Sequence, residues 1–237
     1  MRFFKFVLFS LPAWGQQTIF NVPSADIAVN RDWFFQHQTT TRVWNPGRSW
    51  VQTNAYGYGI GHYIELDATL FNLDVKDPKD STLSFGFKAS LPILGEKARF
   101  GKKSKLPLRL VVGDMFEFTE RPFDPTRLRN PHEGNWMYAM LNTEVPHSKT
   151  RLTAGFSDGT KILFGTRSNG FLGGVEQPLS SRWTFQIDWF SGHHELAYWI
   201  PGVVYRFQER WMLSLGLQVP NRSTVGAKAI IVELTRF

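Results

Sequence analysis

Alternation of side chains constrains this chain more than any other feature. Across residues 182–207, RWTFQIDWFSGHHELAYWIPGVVYRF, Trp183, Phe185, Ile187 and Trp189 interleave with Thr184, Gln186 and Asp188. A period of two is the pleat of a β-strand with one apolar and one polar face. The apolar face carries Trp at both margins. A soluble strand turns that face to a core and gains nothing from indoles at its ends. In a membrane barrel the margins are the two water–lipid interfaces, where an amphipathic indole sits well. After the turn at 191–195 the return strand has Trp199 near one end and Tyr205 and Phe207 near the other. The pair reads as a transmembrane β-hairpin.

The rest of the chain repeats the pattern. About twelve segments of roughly 9–11 residues follow from residue 31 onward, the length that a tilted strand needs to cross a bilayer. Ile64, Leu66, Ala68 and Leu70 oppose Tyr63, Glu65, Asp67 and Thr69. Leu83, Phe85, Phe87, Ala89 and Leu91 alternate with Ser84, Gly86, Lys88 and Ser90, and Trp211, Leu213, Leu215, Leu217 and Val219 with Met212, Ser214, Gly216 and Gln218. In 106–119 the parity shifts near Asp114, which points to a bulge or to exit from the membrane. Connections at 61, 146–149, 179–181 and 208–210 are tight, and those between them are mostly longer, as in outer-membrane barrels with short periplasmic turns. The connection at 95–105 is long where the alternation wants a tight turn, so it is either a periplasmic loop or a sign of a miscounted strand.

Composition agrees. Aromatics make up 15% of residues, with 9 Trp and 21 Phe, while mean hydropathy is −0.24 and cysteine is absent. Disulfide and thiolate chemistry are therefore excluded. Residues 1–15 have Arg2 and Lys5 before an apolar run, then Ala13 and Gly15. This is the pattern of a secretory signal peptide cut before Gln16. Export, absent cysteine and alternating strands point to a Gram-negative outer membrane. Residues 16–30, with a central Pro23, read as a lead-in, a plug or an extra edge strand, and 31–237 as the barrel. The expected fold is an all-β, antiparallel, up-and-down transmembrane barrel of about twelve strands.

Two motif sets carry resemblances. Phe237, terminal after a period-two strand, resembles the sorting signal that the barrel-assembly machinery reads in bacterial outer-membrane barrels. That signal keeps apolar residues in register with the final Phe, whereas Thr235 and Glu233 hold that register here and Ile230, Val232 and Leu234 the opposite one. A bulge near Arg236 would reconcile them. T-x-F-N-V-P-S-A-D at 18–26, D-W-F-S-G at 188–192 and I-P-G at 200–202 resemble a group of small bacterial porin-like barrels, which implies a barrel with no catalytic residue.

The alternation assigns Phe85, Phe87, Trp183, Phe185, Ile187, Trp189, Trp199, Leu213, Leu215 and Leu217 to lipid. It assigns Glu65, Asp67, Lys88, Arg109, Glu117, Asp188, Arg206 and Glu233 to the lumen. Charge of both signs inside requires pairing or water and fits either a narrow wet pore or a packed interior. Net charge is +7, but the basic residues cluster in loops rather than along one face, which excludes a nucleic-acid stripe. Arg121, Arg127 and Arg129 suit bidentate contact with lipopolysaccharide phosphate.

Two rival functions remain. Ser168-Asn169-Gly170 resembles the H-x-S-N-G nucleophile motif of lipid-hydrolysing barrels, but Thr166 stands where the base belongs. A soluble exported barrel binding a small apolar ligand would need Trp183, Phe185, Phe87 and Leu215 inside. His193, His194 and Glu195 read as a solvated turn rather than a metal site, because adjacent side chains on an extended chain diverge. No cofactor is called for. The expected role is a porin-like channel for small solutes or a membrane-structural barrel.

Overall fold

The computed structural model describes residues 18–44, 49–74, 82–95, 106–119, 133–160, 169–192, 194, 196–222 and 227–237. Twelve strands close into one barrel: β1 (Trp33–Arg42), β2 (Ser49–Ile60), β3 (Ile64–Asp74), β4 (Thr82–Leu94), β5 (Leu108–Thr119), β6 (Glu133–Glu144), β7 (Arg151–Gly159), β8 (Asn169–Pro178), β9 (Trp183–Phe190), β10 (Tyr198–Gln208), β11 (Trp211–Pro220) and β12 (Ala229–Arg236). Each pairs antiparallel with its chain neighbours. β1 meets β12 from Phe35↔Arg236 to Thr41↔Ile230, so every described strand is paired on both sides and no edge is left open.

One face of each strand points out. On β11 the outward Leu213, Leu215 and Leu217 are 42%, 51% and 40% exposed, whereas the intervening Ser214 is wholly buried. Phe85, Phe87, Trp183, Phe185 and Trp199 also face outward and exposed, and Ile187 and Trp189 share the outward parity of β9. An outer wall of this composition exposes the side chains that water would drive inward. A soluble barrel of the opposite polarity is excluded by this placement.

The hairpin of β9 and β10 shows why its aromatic margins matter. Trp189 lies opposite Trp199 and Trp183 opposite Tyr205. The two indoles stack at 5.2 Å, and the Trp183 and Tyr205 rings lie 4.6 Å apart. Each aromatic is thus a cross-strand pair at one end of the apolar band, contributing packing as well as position.

Two local expectations fail. β5 keeps one parity throughout, with continuous pairing to β6 from Leu108 to Phe118. Asp114 does not mark a bulge; it stays on the outward face, where it accepts a hydrogen bond from Asn135 Nδ2. The register shifts occur instead at Gln52/Asn54, Pro92/Leu94 and Arg206/Gln208. Pro92 has no N–H for the ladder, which gives the second a direct cause. Nor is there a bulge at Arg236. β12 pairs without interruption, and Phe237 turns inward, buried against Phe34 at 6.4 Å. The connection from β4 to β5 lies at the same barrel end as the tight turns, and the count of twelve strands needs no further strand there; residues 96–105 of it lie outside the described residues.

Candidate functional site

The lumen is the site, and residues 18–30 occupy it. The segment enters at the tight-turn end, where Arg31 N–H donates to Gly59 O at 2.9 Å and Asn30 Oδ1 accepts from Gly61 N–H at 2.8 Å. Arg31 takes a positive φ of 61° at this entry bend. The segment then runs up the interior and ends in a tight turn, where Ile19 N–H donates to Val22 O at 2.8 Å. Residues 18–28 thus lie inside the barrel rather than in its sheet.

Asp188 holds the turn. Its Oδ2 accepts from the backbone N–H groups of Phe20, Asn21 and Val22 at 3.0, 2.6 and 2.8 Å. Three successive N–H groups converging on one carboxylate oxygen satisfy donors that a turn inside a barrel would otherwise leave unpaired. Gln186, on the same face of β9, donates through Nε2 to Ile19 O, and Gln36 Nε2 reaches Thr18 Oγ1 at 3.2 Å and Glu233 at 3.0 Å. Lower in the lumen Ser90 Oγ donates to Ala25 O at 2.7 Å, and Glu65 Oε2 accepts from Ala28 N–H at 2.6 Å. Arg151 Nη1 bridges Asp26 of the plug at 2.7 Å and Glu176 of the wall at 3.0 Å.

The wall is shaped to admit apolar plug side chains. Phe20 is buried over Gly202 and Gly216; a Cβ added at Gly216 would come within 2.9 Å of the Phe20 ring. Ile19 lies where a Cβ on Gly174 would stand. Ile19, Phe20, Val22 and Ala25 form one buried cluster with wall residues that include Val111, Trp136, Tyr138, Leu172 and Ile200. The lumen is therefore part wet and part greasy, rather than polar throughout.

All the charged residues assigned to the interior face it. Glu65 and Lys88 form an ion pair at 2.7 Å, each 1% exposed. Asp67 lies two residues along β3 on the same face, buried. Arg109 donates through Nε to Ser90 Oγ at 2.7 Å. Arg206 lies beside Met212, Glu233 beside Ser214, and Glu117 follows the inward parity of β5. What sequence reasoning missed is the role of Asp188 and the bridging by Arg151, Gln186 and Ser90. The available signal was glycine at inward positions 174, 202 and 216, each opposite a bulky apolar group.

Other candidates fall elsewhere. Arg121, Arg127, Arg129, Thr166, Ser168, His193 and Glu195 lie outside the described residues. His194 is not solvated: it is 4% exposed, edge-on to Phe190 at 4.4 Å, with Nδ1 accepting from Leu196 N–H at 3.2 Å. Among the described residues no group of three or more His, Asp and Glu side chains is placed to hold a metal ion.

Compared with known proteins, no family model and no characterised sequence matches this chain, but its architecture has solved counterparts. A KdgM porin superposes with a TM-score of 0.60 at 6% identity, covering 86% of this chain and 98% of that one. The KdgM porin in complex with disordered oligogalacturonate gives 0.54 at 6% identity with the same coverage. The chain shares the barrel fold of these porins. At so low an identity the likeness is one of fold, and the plug contacts are described from this chain alone.

Proposed function

We propose that the protein is an outer-membrane channel for small solutes, closed in the described state by its own N-terminal segment. The observation that carries this reading is residues 18–30 inside a closed barrel, tied to the wall mainly through side-chain acceptors and donors. A purely structural barrel can fill its lumen with wall side chains; here the filler is a separate stretch of chain reached through one bend at 29–32. The apolar outer wall with aromatic pairs at both margins supports a membrane setting. With that setting the tight-turn end faces the periplasm, so the plug enters from the periplasmic side.

The oligogalacturonate named with one solved porin does not transfer to this chain. A polyanion favours a basic lining, whereas the inward wall mixes Glu65, Asp67, Glu117, Asp188 and Glu233 with Lys88, Arg109, Arg151 and Arg206. Mixed charge supports weak selectivity between cations and anions. Planar-bilayer recording tests the proposal. The full chain is expected to be closed or to open rarely, and a variant lacking residues 18–28 to show steady unitary steps. A folded deletion variant with no conductance would refute the channel and leave a membrane-structural barrel.

A further inference from the structure

Beyond the lumen, the outer wall carries a groove that the channel reading does not use. Five strands contribute to one row of cross-strand partners: Arg236, Phe35, Tyr56, Ala68 and Phe85. All five side chains belong to the outward face. Ala68 is the small one, and around it the wall is hollowed by about 440 Å³, with Trp33, Tyr58 and Leu66 on the flanks.

The row has a direction. Arg236 and Phe35 lie at the tight-turn ends of β12 and β1, whereas Phe85 is near the opposite end of β4. Four strand spacings make it ~19 Å long. With strands tilted by roughly 40° it climbs ~12 Å along the barrel axis, close to the depth of one leaflet of a ~30 Å hydrocarbon layer.

Its lower end is cationic. Arg236 Cζ stands 4.6 Å above the Trp33 ring centroid, an arrangement that holds a guanidinium in place. Among the described residues Arg236 Nη1 is buried and has no hydrogen-bond partner, so a phosphate would be met by the rest of the guanidinium. The nearby carboxylate of Asp32 is engaged by Arg210 at 3.4 Å. A guanidinium held in place over Trp33, at headgroup level, sits beneath a groove of acyl-chain length.

We propose that this groove is a binding site for one glycerophospholipid of the periplasmic leaflet, with the phosphate at Arg236 and an acyl chain over Ala68. The assignment rests on the membrane reading of the barrel. Its occupant is a phospholipid rather than lipopolysaccharide, because the charged end of the groove is at the periplasmic rim.

The test is photo-crosslinking of the full-length protein in nanodiscs with a diazirine-tailed phosphatidylglycerol, followed by peptide mapping. Labelling is expected to concentrate on β2–β4 and to fall to the level of the β9–β11 wall in Ala68→Trp, which fills the groove. Arg236→Gln should weaken it by up to roughly fivefold, the scale of one exposed charge pair. Heat-modifiable electrophoretic mobility verifies that each variant is folded. Even labelling around the wall, labelling that Ala68→Trp leaves unchanged, or preferential labelling of this groove by a diazirine-tailed lipopolysaccharide would overturn the site. A barrel that fails to enter nanodiscs would instead overturn the membrane reading beneath it.

Discussion

Removing the Asp188 carboxylate should free the plug without unfolding the barrel. Oδ2 accepts three backbone N–H bonds at 2.6–3.0 Å, two of them from the buried residues Phe20 and Val22. In Asp188→Ala these donors lose their acceptor while the plug is seated, but regain water when it leaves. Each buried unsatisfied group costs about 1–3 kcal/mol. With partial relaxation a total near 3 kcal/mol is a reasonable lower figure, on the order of a 100-fold shift toward the released state. Asp188→Asn keeps an oxygen acceptor but loses the charge, and charge-assisted bonds are roughly twice as strong as neutral ones. It should give about half the effect in energy, roughly tenfold. The chain has no cysteine, so Ala25→Cys supplies a unique thiol at a position 3% exposed in the seated plug. Its rate of maleimide labelling reports the population of the released state, because local opening must precede reaction. The expected order is Ala fastest, then Asn, then the parent. If folded Asp188→Ala labels within about threefold of the parent, a shift of less than 1 kcal/mol, Asp188 does not hold the plug.

Other contacts make separate predictions. Gly174→Val should displace Ile19 and raise Ala25→Cys labelling, and Ile19→Ala should cancel most of that increase; additive effects in the same assay would rule out a direct contact. Lys88→Met removes the cation from the Glu65 pair and leaves that carboxylate beside Asp67. A loss of about 3–5 kcal/mol is expected, read as a lower urea midpoint for the heat-modifiable form, and an unchanged midpoint would contradict a paired interior. Leu215→Arg puts a guanidinium in the outward apolar band and should cost about 2–4 kcal/mol on insertion into bilayers, whereas equal folding yields in bilayers for parent and variant would place that wall in water.

The strand pattern was legible wherever a uniformly apolar face opposed a polar one, as in β4, β9 and β11. It blurred in β6 and β8, and it misled in β5, for a single physical reason. Reading alternation assumes that the inner face is the wet one. The plug breaks that assumption locally, because its apolar side chains need apolar neighbours. Val111 on β5, Met140 on β6, Leu172 on β8, Ile200 on β10 and Ile231 on β12 all point inward and belong to the cluster that surrounds Ile19, Phe20 and Val22. On β5 the outward side compounds the effect, since Asp114 and Asn135 answer one another there, and a strand with Val111 inside and Asp114 outside imitates a change of parity. The inward glycines invite the opposite misreading. At 174, 202 and 216 they look like weak strand positions, but they are the space into which Ile19 and Phe20 fit. The failures of alternation are therefore not scattered noise. They outline the seat of the plug on the inner wall, and Asp188 escaped notice as its anchor because a carboxylate on a polar face is what the alternation expects.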